Sequence, residues 1–185
     1  MMMRLASVFT IALVAGCGSG PVRVDLPPVA ETGRIPVAAA EVEVREVTLP
    51  LYASQETIYV EAPTGELVSD ADILWADDPV RSFTEGLAYA LAAHTPARVA
   101  AEPWPFFDRP DARVEVRFNR ALAGRDGQFR VAGQYFIASA DGERAETSRR
   151  FALAEPFTAE NYGSIAAAKA RIIDRLALLI ARNGL

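Results

Sequence analysis

Cys17 is the residue whose chemistry is best defined by its neighbours. It follows Val14-Ala15-Gly16, where small side chains suit a signal-peptidase pocket, and the chain has no second cysteine for a disulfide. Ahead of it, Arg4 gives a short positive start, and Leu5 to Val14 is an apolar run broken only by Ser7 and Thr10. That run falls well short of the ~20 residues a membrane-spanning helix needs. The pattern predicts a leader over residues 1–16, removed so that Cys17 becomes the N-terminus, with diacylglycerol on its sulfur and an N-acyl lipid on its amine. One acyl chain binds a bilayer only marginally, whereas two or three anchor stably. Gly18 stands where an aspartate would signal retention at the inner membrane, so the periplasmic face of the outer membrane is expected.

Other residue types with chemical potential point to structure rather than catalysis. Asp70, Asp72, Asp77 and Asp78 form the one carboxylate cluster, and paired carboxylates can hydrolyse glycosides or hold calcium. The calcium-loop spacing is absent, and a loop followed by a helix start explains aspartates through capping and the helix dipole. His94 is the only histidine and reads as a surface or cap-proximal residue, since a metal site needs partners. There is no Gly-x-Ser-x-Gly elbow and no phosphate-binding glycine loop. A non-enzymatic protein without metal or cofactor, other than lipid joined to Cys17, is therefore expected.

Trp75 and the run Trp104-Pro105-Phe106-Phe107 are the conspicuous aromatics outside regular elements. In a proline-bounded loop such rings more often plug the end of a core. The other use is an exposed anchor for a protein partner or for lipid. Residue types alone do not separate these, so Trp75, Trp104, Phe106 and Phe107 stand as candidate partner-contacting residues.

These residues need a scaffold, and periodicity supplies one. Residues 17–40 hold Gly, Ser and four prolines (Pro21, Pro27, Pro28, Pro36) and read as an extended tether, although Val22 and Val24 alternate like an edge strand. Residues 41–185 read as one domain. Alternation predicts strands over 41–48, 57–61 and, more briefly, 67–68. Asp77-Asp78-Pro79 opens a helix that runs to about Ala93 with Val80, Phe83, Leu87 and Leu91 on one face. A short strand over 98–101 and an antiparallel meander over 112–153 follow, with Asp141-Gly142 as a two-residue turn. A last helix, about residues 160–182, carries an apolar stripe from Ile165 to Ile180 that Lys169 alone interrupts, and Asn183-Gly184 ends it. The expected class is α+β: a mainly antiparallel or mixed sheet with two helices packed on it.

Charge restricts the partners. The chain carries -5 with 24 acids against 19 bases and no basic run, which argues against nucleic acid and against electrostatic binding to anionic head groups.

Three short motifs in order carry a resemblance. Val47-Thr48-Leu49-Pro50 with Tyr52 is similar to a "V-x-L-P-x-Y" strand end, and Trp75-Ala76-Asp77-Asp78-Pro79 to a "W-A-E-P-L" helix opening. Tyr162 through Ala166-Ala167 to Ile180-Ala181 is similar to a "Y…A-A…L…I-A" ending. Together with the Cys17 leader, the chain from about Glu41 onward resembles the ABC-type transport auxiliary lipoproteins, the family of paraquat-inducible protein C. Where relatives carry "Y-Y-x-L" after the tether, this chain has Val22-Arg23-Val24-Asp25-Leu26. The resemblance implies a non-enzymatic component of an intermembrane lipid-transport system, docking a mammalian-cell-entry (MCE) domain protein that works with an ABC permease and ATPase. Two rivals stand beside it: a lipoprotein supporting outer-membrane or cell-wall assembly, and a periplasmic hydrolase using the Asp70–Asp78 cluster.

Overall fold

Asp78 starts the first helix as its type suggests: its carboxylate accepts from the Arg81 amide at 2.8 Å, and Pro79 fills the first turn. The computed structural model describes residues 20–28, 33–139, 142 and 146–185; the leader over residues 1–16 and Cys17 lie outside the described residues. In chain order the elements are β1 (Val22–Val24), β2 (Glu41–Val44), β3 (Thr57–Glu61), β4 (Leu67–Trp75), α1 (Pro79–His94), β5 (Arg98–Ala101), β6 (Ala112–Ala123), β7 (Gln128–Ser139), β8 (Thr147–Pro156) and α2 (Tyr162–Asn183). A 3-10 turn at Leu51–Ser54 precedes β3.

The eight strands make one mixed sheet, so the α+β expectation holds. Its path runs β1-β4-β3-β6-β2-β5, with β7 on the other side of β6 and β8 beyond it. At twelve residues β6 matches β7 on one side and outreaches β2 and β3 on the other. Its start takes β2 in parallel (Val42 opposite Ala112), and its last residue meets β3 (Val60 opposite Ala123). Alternation decides which face is covered: Val114, Val116 and Phe118 are buried, while Arg113 and Arg117 point outward.

Both helices pack on that apolar face and against each other. Ile172, Ile173, Leu176 and Ile180 of α2 are almost fully buried, and a side chain of that size contributes roughly 1.5–3 kcal/mol when removed from water. Gly86 lets the helices approach closely, since an added Cβ would lie 3.3 Å from Ile173 Cδ1. None of the described helices is long and apolar enough to cross a membrane.

Several expectations need correction. The described part of the 17–40 tether belongs to the domain. β1 pairs in parallel with β4, the Ile35 amide donates to the His94 carbonyl, and the Ala38 amide donates to the Leu185 carbonyl. Leu26, Ile35 and Val37 pack on the core, so prolines here shape a strap over the fold instead of a spacer. β4 continues through Asp70 and Asp72 to Trp75, with a register shift against β3 that accommodates the polar stretch. β2 ends at Val44, short of the expected Thr48, although Thr48 still bridges to Arg117. Between β7 and β8 the last pair is Ile137 with Thr147, so the link is longer than a two-residue turn; Asp141 lies outside the described residues. Gly184 ends α2 without a left-handed backbone; a Cβ there would run into the Ile137 side chain.

Candidate docking surface

The chain bends after β5 at a cis Glu102-Pro103 bond and then carries Trp104, Phe106 and Phe107. Both ends of this loop are tied down. The Glu102 carboxylate accepts from Arg45 Nε at 2.7 Å and from the Glu46 amide at 3.2 Å. The Asp111 carboxylate accepts from the Ala40 and Glu41 amides at 2.8 and 2.9 Å. Within the loop, Trp104 Nε1 donates to the Asp108 carbonyl at 2.6 Å, and the Trp104 and Phe106 rings meet edge to face at 4.9 Å. The Arg98 guanidinium stands 4.8 Å from the Phe106 ring centre.

This fixed loop does not plug the core. Phe106 is 41% exposed and Phe107 has no protein cover at all, at 103%. On the adjacent α1, Tyr89 is 72% exposed. It stands between two shallow grooves. One, of about 420 Å³, lies between α1 and the Val99–Pro105 stretch; the other, of about 490 Å³, lies between α1, α2 and the Leu26-Pro27-Pro28 strap. Rigid aromatic side chains held clear of solvent-exposed backbone contribute contact area at low entropy cost. Tyr89 was not singled out by sequence. Its place off the buried stripe of α1 marks it as outward facing, but nothing local marks it as adjacent to the loop.

Trp75 is elsewhere. It ends β4 with 7% exposure, and its ring covers a lysine, so it belongs to the core and not to the loop's surface. Lys169, the only lysine in the chain, is 1% exposed; its Nζ sits 4.5 Å from the centres of both the Trp75 and Phe83 rings and donates to Ser82 Oγ at 3.3 Å. Burial pushes its pKa down to about 7, against the pull of the Asp77 and Asp78 carboxylates. A cavity of about 20 Å³ beside it, lined also by Tyr52, Tyr59 and Phe129, has room for about one water and none for a lipid tail. Sequence showed Lys169 as a polar break in an apolar stripe; its aromatic partners come from distant segments.

The carboxylate cluster does not converge on a site. Asp70 and Asp72 are exposed on β4, with the Asp72 amide donating to Asp70 Oδ1 at 2.9 Å. Asp77 accepts from the Asp78 amide and pairs with Arg81; burial would raise its pKa, but these partners outweigh it and lower it. Among the described residues no group of three or more metal-ligating side chains comes together. His94 is not on the surface: it is fully buried at the end of α1, with Nε2 2.5 Å from Asp174 Oδ1 on α2.

Comparison with known proteins agrees with this architecture. A family model described as ABC-type transport auxiliary lipoprotein component matches residues 25–181, starting ahead of Glu41 and thus taking in much of the strap. A crystal structure of an uncharacterized protein shares the fold with a TM-score of 0.68 at 15% identity, covering 87% of this chain and 98% of that one. A Xanthomonas campestris protein of family DUF330 does so with a TM-score of 0.62 at 17% identity, covering 88% and 91%. No curated protein matches the sequence.

Proposed function

The chain belongs to the ABC-type transport auxiliary lipoprotein family, and from that premise we propose that it serves an intermembrane lipid-transport system by docking an MCE-domain protein rather than by catalysis. The family gives it an accessory role beside an ABC-type transporter and an association with a membrane. In our reading, lipid on Cys17 anchors it to the periplasmic face of the outer membrane, and the MCE protein, coupled to permease and ATPase, binds the aromatic loop.

The observation that carries this reading is Phe107, fully exposed on a loop that hydrogen bonds hold in place. An apolar ring presented in this way, with Phe106 and Tyr89 beside it, suits burial by a protein partner. A hydrolytic role has less support, because Asp77 and Asp78 are committed to Arg81 and to the α1 cap.

The test is co-purification from detergent-solubilised membranes. Capture of an MCE-domain protein by the unsubstituted chain, lost with Phe107→Ala, supports the reading. Recovery of outer-membrane or cell-wall assembly proteins without any MCE protein overturns it in favour of an assembly role.

A further inference from the structure

Among the described residues, the exposed large apolar side chains fall into two groups toward opposite ends of β6. Tyr89, Phe106 and Phe107 gather at the β5 edge, and Val22, Leu67 and Val68 lie on β1 and β4, with Leu51 apart from both. Because β7 pairs along one side of β6, β2 and β3 share its other side and meet it at opposite ends, β2 at Ala112 to Val114 and β3 at Ala123, nine residues or roughly 30 Å apart at ~3.3 Å per residue.

Chain connectivity tells these edges apart. Val22 lies beside Ile73 in the sheet. Cys17 is five residues before it, and five extended residues reach at most ~18 Å. If Cys17 holds the acyl chains, as proposed above, the β1 edge cannot stand further from the bilayer than that. Leu67 and Val68 are five or six residues along β4 from Ile73, within a similar radius.

We infer that the β1–β4 edge is the face that lies against the bilayer, with Val22, Leu67 and Val68 at the lipid interface and the Phe107 loop directed away from it. Two further features of this edge agree. β1 covers only Ile73, Leu74 and Trp75, so among the described residues the outer side of β4 from Leu67 to Asp72 has no strand partner and is an open edge that a membrane surface would shield. From Val68 an apolar groove of about 390 Å³ continues past Val60 and Phe157 to Tyr162 and Ile165. Charge narrows the lipid: Asp70, Asp72 and Glu66 on or beside β4 outnumber Arg23 on β1 and Arg125 in the groove, so this edge disfavours an anionic surface and fits a zwitterionic one, whose ammonium groups meet carboxylates. The surface is thus a zwitterionic phospholipid bilayer.

This orientation rests on the acylation of Cys17, so the experiment reads both. Full-length acylated protein is placed on vesicles of phosphatidylethanolamine and phosphatidylcholine containing a doxyl-labelled lipid quencher. Acylation consumes the native thiol, so a cysteine introduced by Val68→Cys or Phe107→Cys is the only one free to take a fluorophore. Quenching several-fold stronger at 68 than at 107 is expected. Equal or reversed quenching with Cys17 acylated by mass spectrometry overturns the orientation and leaves the anchor standing; an unacylated Cys17 overturns both. On the unsubstituted protein, hydrogen exchange should show vesicle-dependent protection at residues 66–69 and none at 104–108. The opposite pattern sinks the inference whatever the variants do.

Discussion

Lys169 Nζ lies 4.5 Å above the Trp75 ring, a cation enclosed between α2 and the end of β4. With Phe83 on its other side, the ammonium trades water for two aromatic faces and one hydroxyl. The exchange is incomplete, and burial brings its pKa from 10.5 to about 7. In the unfolded chain the amine binds its proton up to its ordinary value, while the folded chain gives it up earlier. From about pH 7 to about 10.5 the unfolded state therefore holds more protons, and this group makes stability rise with pH. Below about 7 both states are protonated and it contributes no slope. Lys169→Met should remove that rise and increase stability at neutral pH by on the order of 1 kcal/mol. Denaturant titrations of both proteins at several pH values test this, and a less stable Met variant would refute it.

Glu155 of β8 works in the opposite pH range. Burial alone would raise its pKa, but Arg175 at 2.6 Å and Arg171 at 3.0 Å outweigh this and hold it below its ordinary value. Stability from this clamp is present above the usual value of 4.5 and is lost as pH falls through the depressed one. Both arginines are half exposed, so screening limits the effect. Glu155→Gln should cost about 1 kcal/mol at pH 7 and flatten the acid limb of the melting profile.

Gly133 faces the point where the register between β6 and β7 shifts. A Cβ there would strike the Arg117 carbonyl oxygen and come within 2.9 Å of Phe118 Cα, both backbone atoms with no room to yield. Gly133→Ala should lower stability by about 3 kcal/mol, seen as a drop in denaturation midpoint without a change in slope.

Phe107→Ala should leave the melting temperature unchanged within error, because the side chain has no intramolecular cover to lose. Partner capture should fall by at least tenfold if Phe107 is a contact anchor, which corresponds to about 1.4 kcal/mol. Equal capture by both proteins would remove the loop from the interface.

Asp78→Ala removes the α1 cap and should cost about 1 kcal/mol, whereas Asp78→Asn keeps an acceptor and should cost much less. Transport-dependent growth should survive Asp77→Asn with Asp78→Asn together; its loss in a stably folded variant would revive the hydrolase reading.

Legibility followed the range of the physical signal. The α1 start at Asp78, the stripe of α2 and the alternation in β6 and β7 come from side chains a few residues apart, and the family resemblance rested on such local runs. The carboxylate in the middle of β4 and the prolines of the strap misled for the same reason. Asp70 and Asp72 lower local strand propensity, yet pairing with β3 on either side of them, at Ser69 and Leu74, and the open edge let them stay solvated within a strand. Pro27 and Pro28 rule out a helix but say nothing about what lies beneath them.

The sequence by itself determined the class of fold and the two helices, because each depends on residue type and short periodicity. Only the tertiary structure decided that residues 22–28 and 33–40 complete the domain, that Lys169 is enclosed by Trp75 and Phe83, that His94 meets Asp174, and that Phe107 stands in solvent while Trp75 does not. Burial is set by neighbours brought together from far along the chain, such as Ala38 with Leu185, and no short window of sequence contains both partners.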